Sequence, residues 1–138
     1  MLEANANKLV SPGRGILAAD ESTGTMSSRL QGVGVEPSEE ARRSYRANLF
    51  AAPSCESAVS GVILYDETIR QMMDDGIAIP DYLLAKDILP GIKVDTGAYL
   101  LANHSGEKIT EGLDGLRSRC IEYFNMGARF AKWRAVIT

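Results

Sequence analysis

The chain has 138 residues, of which 45% are hydrophobic, and a formal net charge of −3. This composition is sufficient for one folded core and excludes a disordered chain, while the acidic balance gives no reason to expect a nucleic acid partner. No apolar run approaches the roughly 18 residues of a membrane-spanning helix, and the first nine residues lack the pattern of a secretory signal.

The cysteine and histidine content argues against a zinc centre. Cys55 and Cys120 are far apart in the sequence, which predicts buried thiols in a reducing compartment. The only histidine, His104, lies in a polar segment. These three residues do not match a zinc ligand set, although carboxylates alone remain able to hold magnesium.

The first residues predict a short helix and then a strand that ends on polar side chains. The helix covers Leu2–Val10, and the strand covers Gly15–Ala19, an apolar run typical of a strand buried on both faces. Asp20 and Ser22 follow directly, and a second short helix reaches Arg29. Hydroxyls at a helix start, with an arginine one turn in, favour a phosphate site at this end of the strand. The alternative is a strand that ends on acids before an ordinary helix cap.

The next predicted helix starts after Ser38, its N-cap. Ala41, Tyr45 and Leu49 recur at four-residue steps and predict the apolar face of this helix, with its arginines outside that face. A second buried strand is expected over Val59–Tyr65.

The rest of the chain predicts two more strand–helix units. In chain order we expect a helix over Glu67–Met73, a helix from Pro80 to Asp87, a strand over Ile92–Val94, a loop over residues 97–110, a helix with an apolar face at Leu113, Leu116, Cys120 and Tyr123 that Gly127 ends, and a strand over Arg129–Ile137. No hairpin signal separates the strands. The repeated order of strand and helix therefore favours parallel βα units in an α/β fold.

Side-chain alternation along the strands predicts one charged face. Side chains two residues apart point the same way. This rule groups Ala18, Asp20 and Ser22; Leu64 and Asp66; Lys93 and Asp95; and Phe130, Lys132, Arg134 and Val136. The opposite face of the last strand is apolar and is expected beneath the helices; it carries Ala131, Trp133, Ala135 and Ile137.

If the charged groups face one interior, they form a single constellation of Asp20, Asp66, Lys93, Asp95, Lys132 and Arg134. Burying an unpaired charge is costly, so the set either binds an anion, neutralises itself in acid–base pairs or lies on a solvated face. Two lysines and an arginine beside hydroxyls favour a phosphorylated substrate. The residues alone predict a phosphate-ester site and name no reaction.

Five blocks of sequence carry a closer resemblance. They are G-I-L-A-A-D-E-S-T-G (Gly15–Gly24), G-V-I-L-Y-D-E-T (Gly61–Thr68), G-I-K-V-D-T-G (Gly91–Gly97), T-E-G-L-D-G-L (Thr110–Leu116) and F-A-K-W-R (Phe130–Arg134). In this order, and over essentially the whole chain, they resemble the N-terminal part of class I fructose-bisphosphate aldolase.

This resemblance implies the N-terminal half of a (β/α)8 TIM barrel, about four βα units, with residues 1–138 as a single partial domain. It implies reversible cleavage of fructose 1,6-bisphosphate to dihydroxyacetone phosphate and glyceraldehyde 3-phosphate through a lysine Schiff base, with no metal and no cofactor. It further implies a cytoplasmic enzyme, or a plastid one, that forms homo-oligomers when full length.

The resemblance also implies site residues. Asp20 matches a carboxylate that assists proton transfer and carbon–carbon cleavage, and Lys132 matches a second active-site lysine that assists formation and dehydration of the carbinolamine. The implied substrate contacts, chiefly around the C6 phosphate, are Ser22, Thr25, Arg29, Lys93 and Arg134, together with Arg42.

The family's Schiff-base lysine and principal acid/base glutamate lie beyond the last matching block. A TIM barrel takes roughly 250 residues, so we expect a fragment that is inactive by itself. One alternative is a non-catalytic half-barrel that binds phosphate esters or partner chains. Another is a different phosphosugar enzyme on an open doubly wound sheet, which would place G-x-G-x-x-G after the first strand, where this chain has A-A-D-E-S-T-G.

Overall fold

A computed structural model describes residues 1–137, which form a parallel α/β sheet and a separate hairpin. In chain order the elements are α1 (Leu2–Leu9), β1 (Gly15–Ala18), α2 (Thr23–Gly32), α3 (Glu39–Phe50), α4 (Cys55–Ala58), β2 (Val59–Leu64), α5 (Asp66–Ile69), α6 (Ile79–Ala85), β3 (Leu89–Lys93), β4 (Gly97–Leu100), β5 (Lys108–Glu111), α7 (Leu116–Asn125) and β6 (Phe130–Lys132). The main sheet has the order β1-β2-β3-β6 with every pair parallel, which confirms the predicted βα units. Thr138, the last residue of the expected domain, lies outside the described residues.

One face of the main sheet packs against helices and forms the core. Val62, Leu64 and Ile92 on this face are at most 2% exposed, and they cluster with Phe50 of α3 and Leu83 of α6. Burial of this apolar surface is the main source of stability. Alternation predicted that Leu64 lies on the charged face together with Asp66. The structure places Leu64 on the helix-covered face instead.

At the amino-terminal ends of the strands, an aromatic ring closes the opposite, concave face of the sheet. Gly91 pairs with Phe130 across β3 and β6, and a Cβ atom at Gly91 would lie only 2.3 Å from Cζ of Phe130. Gly61 on β2 has the same ring nearby, since a Cβ atom at Gly61 would lie 3.1 Å from Cε1 of Phe130. Glycine at both positions makes room for Phe130. Polar side chains occupy the other end of this face, at the carboxyl-terminal ends of the strands.

The buried face of α3 differs from the predicted one. Ser38 caps the helix as expected, accepting a hydrogen bond from the Ala41 amide at 3.0 Å. Tyr45, however, is 47% exposed, whereas Arg42 and Arg46 are buried. The predicted apolar face is wrong because both guanidinium groups find hydrogen-bonding partners inside the fold.

Residues 97–110, predicted as a loop, contain most of an antiparallel hairpin. β4 and β5 pair from Gly97 with Glu111 to Leu100 with Lys108. The connection is too long for a two-residue turn, and it bends through left-handed conformations at Asn103 and Gly106. The hairpin was missed because short-turn signals such as Asn-Gly are absent from it.

The ends of several elements also depart from the prediction. β6 ends at Lys132, and Trp133 and Ile137 are 37% and 91% exposed, so the expected packing of Ala131, Trp133, Ala135 and Ile137 beneath helices is wrong. Within residues 1–137, β6 is an edge strand, which leaves this side uncovered. Leu113 precedes α7 and is also exposed.

Two further observations concern thiols and membranes. Cys55 and Cys120 are free and half-buried, so they are less buried than predicted. Burial raises the pKa of the Cys55 thiol above its ordinary value. Among residues 1–137, no helix has the length and apolar character needed to cross a bilayer.

Candidate active site

The carboxyl-terminal ends of the parallel strands surround a cavity of about 770 Å³. Its lining includes the whole predicted constellation: Asp20, Asp66, Lys93, Asp95, Lys132 and Arg134. The sequence-based prediction that these side chains share one interior is therefore confirmed. Asp66 reaches the cavity because it is the first residue of α5 and follows the end of β2.

Asp20 and Lys132 form an ion pair across the cavity. Lys132 Nζ donates a hydrogen bond to Asp20 Oδ2 at 2.7 Å. Asp20 follows β1 and Lys132 ends β6, and these are the two edge strands of the main sheet. In a flat sheet, three strand spacings would separate them by about 14 Å. The contact therefore requires the sheet to curve strongly around the cavity.

Lys93, the last residue of β3, is held in place by Asp95, two residues further along the chain. Its Nζ atom lies 3.1 Å from Asp95 Oδ1 and donates a hydrogen bond to the Asp95 carbonyl oxygen, also at 3.1 Å. The ammonium group also lies 5.9 Å from the centre of the Tyr65 ring, within the range of a cation–π contact. Lys93 thus enters the cavity in a fixed position.

The start of α2 forms a third wall of the cavity. Ser22 caps the helix, and its hydroxyl lies 3.0 Å from the Thr25 hydroxyl. One turn later, Arg29 forms an ion pair of 2.5 Å with Glu21. Two hydroxyls at a helix N-terminus, together with the exposed guanidinium group that Arg29 extends from the last turn of α2 to Glu21, are suited to an anion.

The last two predicted contacts have different positions. Arg134 lines the cavity and has no ion-pair partner among residues 1–137. Arg42 is not brought to the cavity: the residue is 8% exposed, and its guanidinium group binds both carboxylate oxygens of Glu67 at 2.7 and 2.9 Å. The predicted substrate contact at Arg42 has no geometric support here.

Several cavity residues were not named as site residues from the sequence: Glu21, Tyr65, Thr96, Gly97, Arg119 and Tyr123. Alternation directed Glu21 away from Asp20, but β1 ends at Ala18 and the rule no longer applies beyond it. Arg119 precedes Tyr123 by four residues on α7, and this helical spacing was the available signal. Arg119 donates hydrogen bonds to the carbonyl oxygens of Val94 and Gly112, which joins the end of β3 to the hairpin.

Asp66 and Tyr123 form a charged corner of the cavity. The Tyr123 hydroxyl donates to Asp66 Oδ1 at 2.9 Å, and Arg70 donates to the same oxygen at 2.8 Å. Burial raises the pKa of Asp66, but these two hydrogen bonds and the charges of Arg70 and Arg119 together outweigh burial and hold the pKa below the ordinary value. Burial, together with the neighbouring Asp66, raises the pKa of Tyr123. At neutral pH this corner therefore carries a carboxylate and a neutral phenol.

The cavity as a whole carries a cationic excess. Five cationic residues line it against four carboxylates; the former are Arg29, Lys93, Arg119, Lys132 and Arg134, and the latter are Asp20, Glu21, Asp66 and Asp95. This balance suits an anionic ligand. In the described part of the chain, no group of three or more histidine, cysteine, aspartate or glutamate side chains is arranged to hold a metal ion.

Comparison with known proteins identifies the family. The family model for class I fructose-bisphosphate aldolase matches residues 1–138. The chain belongs to the class I fructose-bisphosphate aldolase family. It is 54% identical over 136 residues to a probable class 1 aldolase of Xanthomonas campestris, and 52% identical over 136 residues to cytosolic aldolase 6 of Arabidopsis thaliana.

A solved aldolase has the same fold over the shared region. The chain matches fructose-bisphosphate aldolase from Plasmodium falciparum, solved in a ternary complex with TRAP and a small-molecule inhibitor, with a TM-score of 0.93 and 46% identity. The match covers 97% of this chain but 39% of the other. The bacterial and plant relatives are covered to 41% and 38% of their lengths. The chain thus spans about two fifths of the aldolases it matches.

Proposed function

We propose that the protein containing this chain is a class I aldolase that reversibly cleaves fructose 1,6-bisphosphate to dihydroxyacetone phosphate and glyceraldehyde 3-phosphate. The observation that carries the proposal is the 2.7 Å contact between Asp20 and Lys132 inside a cavity with excess cationic charge. An ammonium group and a carboxylate joined by a hydrogen bond can exchange a proton with each other or with a bound molecule. The cationic excess supplies the attraction for a phosphate ester.

The proposed architecture is the N-terminal half of a (β/α)8 barrel, with residues 1–138 as one partial domain. The strong curvature that brings Asp20 to Lys132 supports it, because a barrel requires tilted strands on a closed, curved sheet. The strand order β1-β2-β3-β6, in which every neighbouring pair is parallel, fits four consecutive βα units.

The roles proposed for the site residues are those that the family resemblance implies, and the position of these residues around one cavity supports them. Lys132 would assist formation and dehydration of the carbinolamine, and Asp20 would assist proton transfer beside it. The substrate's C6 phosphate would bind at the wall formed by the hydroxyls and cations Ser22, Thr25, Arg29, Lys93 and Arg134. Arg42 is left out of this set because Glu67 occupies its guanidinium group.

In class I aldolases a lysine forms a Schiff base with C2 of the ketose. In this proposal that lysine lies outside residues 1–138, since Lys93 and Lys132 match other motifs. Residues 1–138 then contribute the phosphate wall and the proton-transfer pair. If this division of roles is correct, residues 1–138 alone should bind phosphate esters without cleaving them.

Borohydride trapping tests the proposal. The protein is expressed from its own gene, with whatever sequence flanks residues 1–138, and is incubated with fructose 1,6-bisphosphate and borohydride. We expect a covalent adduct on a lysine outside residues 1–138, and cleavage that persists in the presence of a chelator. An adduct on Lys93 or Lys132, or cleavage abolished by the chelator, would contradict the assigned roles.

We also propose a cytoplasmic homo-oligomer. The relatives from Arabidopsis thaliana and Cicer arietinum are named as cytosolic and cytoplasmic isozymes, although a plastid location remains an alternative. Leu100, Ile109 and Leu113 expose apolar side chains at or beside the hairpin, which supplies a surface for self-association. Sedimentation of the expressed protein tests the oligomeric state.

A further inference from the structure

Arg46 is a fully buried cation just outside the cavity. Its side chain is 0% exposed; Nη1 donates to the Thr68 hydroxyl at 2.9 Å, and Nη2 donates to the Glu21 carbonyl oxygen at 2.6 Å. Its Nε atom has no hydrogen-bonding partner among the described residues. Burial lowers the pKa of Arg46, with the charge of Glu21 opposing this effect. Because arginine ordinarily titrates far above neutrality, the group is still charged at pH 7.

A buried charge of this kind is costly unless an opposite charge and hydrogen bonds compensate for its removal from water. Arg46 connects the segments that follow β1 and β2, since Glu21 lies beyond β1 and Thr68 lies on α5 beyond β2. Both acceptors are uncharged, since one is a hydroxyl and the other a backbone carbonyl oxygen. The hydrogen bonds alone therefore do not account for a positive charge at this position.

The charge of Arg46 acts on the Glu21 carboxylate. Arg46 Nη2 lies 3.5 Å from Glu21 Oε2, while Arg29 lies 2.5 Å from the other oxygen, Oε1. One carboxylate is thus shared between two guanidinium groups, and the three side chains carry a net charge of +1. Of the two arginines, only Arg29 lines the cavity, and its side chain is 61% exposed.

We propose that Arg46 is a positioning residue that keeps the charge of Arg29 available to a bound phosphate by sharing the Glu21 carboxylate. Without the charge of Arg46, the Glu21 carboxylate pairs only with Arg29, and these two side chains together carry no net charge. With Arg46 present, the three side chains carry a net charge of +1, and Arg29 remains cationic where it faces the cavity. This inference rests on the phosphate wall of the proposed function and assigns a role to a residue that does not touch the substrate.

The test measures binding of inorganic phosphate by titration calorimetry, using the protein expressed with its natural flanking sequence. Arg46→Met is expected to weaken phosphate binding about fivefold, the scale of one partly exposed charge interaction. Arg46→Lys keeps the charge and is expected to stay within about twofold of the wild type. Arg43→Met on the same helix is the matched control, because Arg43 pairs with Glu40 and Asp74 away from the cavity; its phosphate binding should not change.

The decisive variant removes both charges. Arg46→Met with Glu21→Gln restores the net charge of +1 at Arg29, so phosphate binding should recover to near the wild-type value. Glu21→Gln alone should tighten binding. A purely structural role for Arg46 predicts a double variant that binds no better than Arg46→Met, and that result would overturn the proposal.

Folding defects do not obscure the outcome. If Arg46→Met fails to fold, Glu21→Gln alone carries the test, and weaker phosphate binding by that variant overturns the proposal. Borohydride trapping is recorded in parallel on the same samples. Absence of a trapped adduct with intact dependence of phosphate binding on Arg46 would remove the aldolase proposal and keep this one; trapping without that dependence would do the reverse.

Discussion

The two faces of the parallel sheet use the same strands for opposite purposes. On β3, Ile92 is 2% exposed and packs in the helix-covered core, while its neighbour Lys93 points into the cavity. Consecutive residues of a strand therefore face either hydrocarbon or a set of charges. Residues that stabilise the core and residues that line the cavity are therefore separated by a single position along the strand.

The energetics of the two faces differ accordingly. Apolar side chains on the helix face gain stability by leaving water and lose it when a cavity is created. Charged side chains on the cavity face are balanced mainly against one another, as in the contacts of Asp20 with Lys132 and Lys93 with Asp95. Substitutions on the first face should alter unfolding, and those on the second should alter binding and catalysis.

The largest effect is expected at Lys132. Lys132→Met in the complete protein should reduce cleavage of fructose 1,6-bisphosphate by about 10²- to 10⁴-fold, because it removes a proton-transferring group. Its ion pair joins a half-buried lysine to an Asp20 side chain that is only 12% exposed, so the loss of this partner should lower the free energy of unfolding by about 1–3 kcal/mol. Steady-state kinetics and urea unfolding measure the two quantities. Lys86→Met is the control, since Lys86 pairs with Glu56 on the surface. Equal losses of activity in both variants would contradict the division between the faces.

The opposite pattern is expected at Leu64. Leu64→Ala removes a fully buried side chain from the helix face and should lower the free energy of unfolding by about 2–5 kcal/mol. Ile63→Ala, one residue away on the cavity face, changes a half-buried side chain and should cost less. Urea unfolding of both variants gives the difference. A larger loss for Ile63→Ala would mean that the two faces have been assigned in reverse.

A smaller effect is expected where the cavity face is closed by Phe130. Gly91→Ala places a Cβ atom against this ring and should destabilise the protein by about 1–3 kcal/mol through overpacking. Gly32→Ala on α2 meets no atom within 4 Å and is the matched control; it should be neutral or stabilising, because alanine favours a helix. Adding Phe130→Leu to Gly91→Ala should recover part of the loss in thermal unfolding.

The sheet and most of the cavity were predictable because their signals are local. Apolar runs mark the strands, and the polar residues that follow them must meet at one end of a parallel sheet. Asp20, Lys93 and Lys132 were identified in this way, and the structure brings all three to one cavity.

The unpredicted features depend on contacts that are distant in sequence. The buried state of Arg42 and Arg46 requires Glu67, Thr68 and Glu21, which belong to other elements. A helical periodicity analysis treats arginine as solvent-facing, so it selected Tyr45 in their place. The hairpin and the early end of β6 were missed for a related reason, since strand pairing is decided by partners rather than by propensity.

The smallest effect concerns pH and the Asp66 corner of the cavity. The folded-state pKa of Asp66 lies below its ordinary value, because burial, which raises it, is outweighed by the hydrogen bonds from Arg70 and Tyr123 together with the charges of Arg70 and Arg119. A depressed pKa stabilises the fold above the unfolded-state pKa of about 3.8, and this contribution is lost as pH falls through the folded-state value. Because the Asp66 side chain is 49% exposed, the contribution should be only a few tenths of a kcal/mol.

The measurement compares wild type with Asp66→Asn by urea unfolding from pH 7 down to pH 2. The difference in stability between them should be constant above about pH 5 and should change below it, as the wild-type carboxylate takes up its proton. High salt should shrink the part that comes from Arg70, since that ion pair is exposed to solvent. A difference that is flat across the whole range would show that this corner carries no net electrostatic contribution to stability, and the cavity face would then have to be treated as balanced charge throughout.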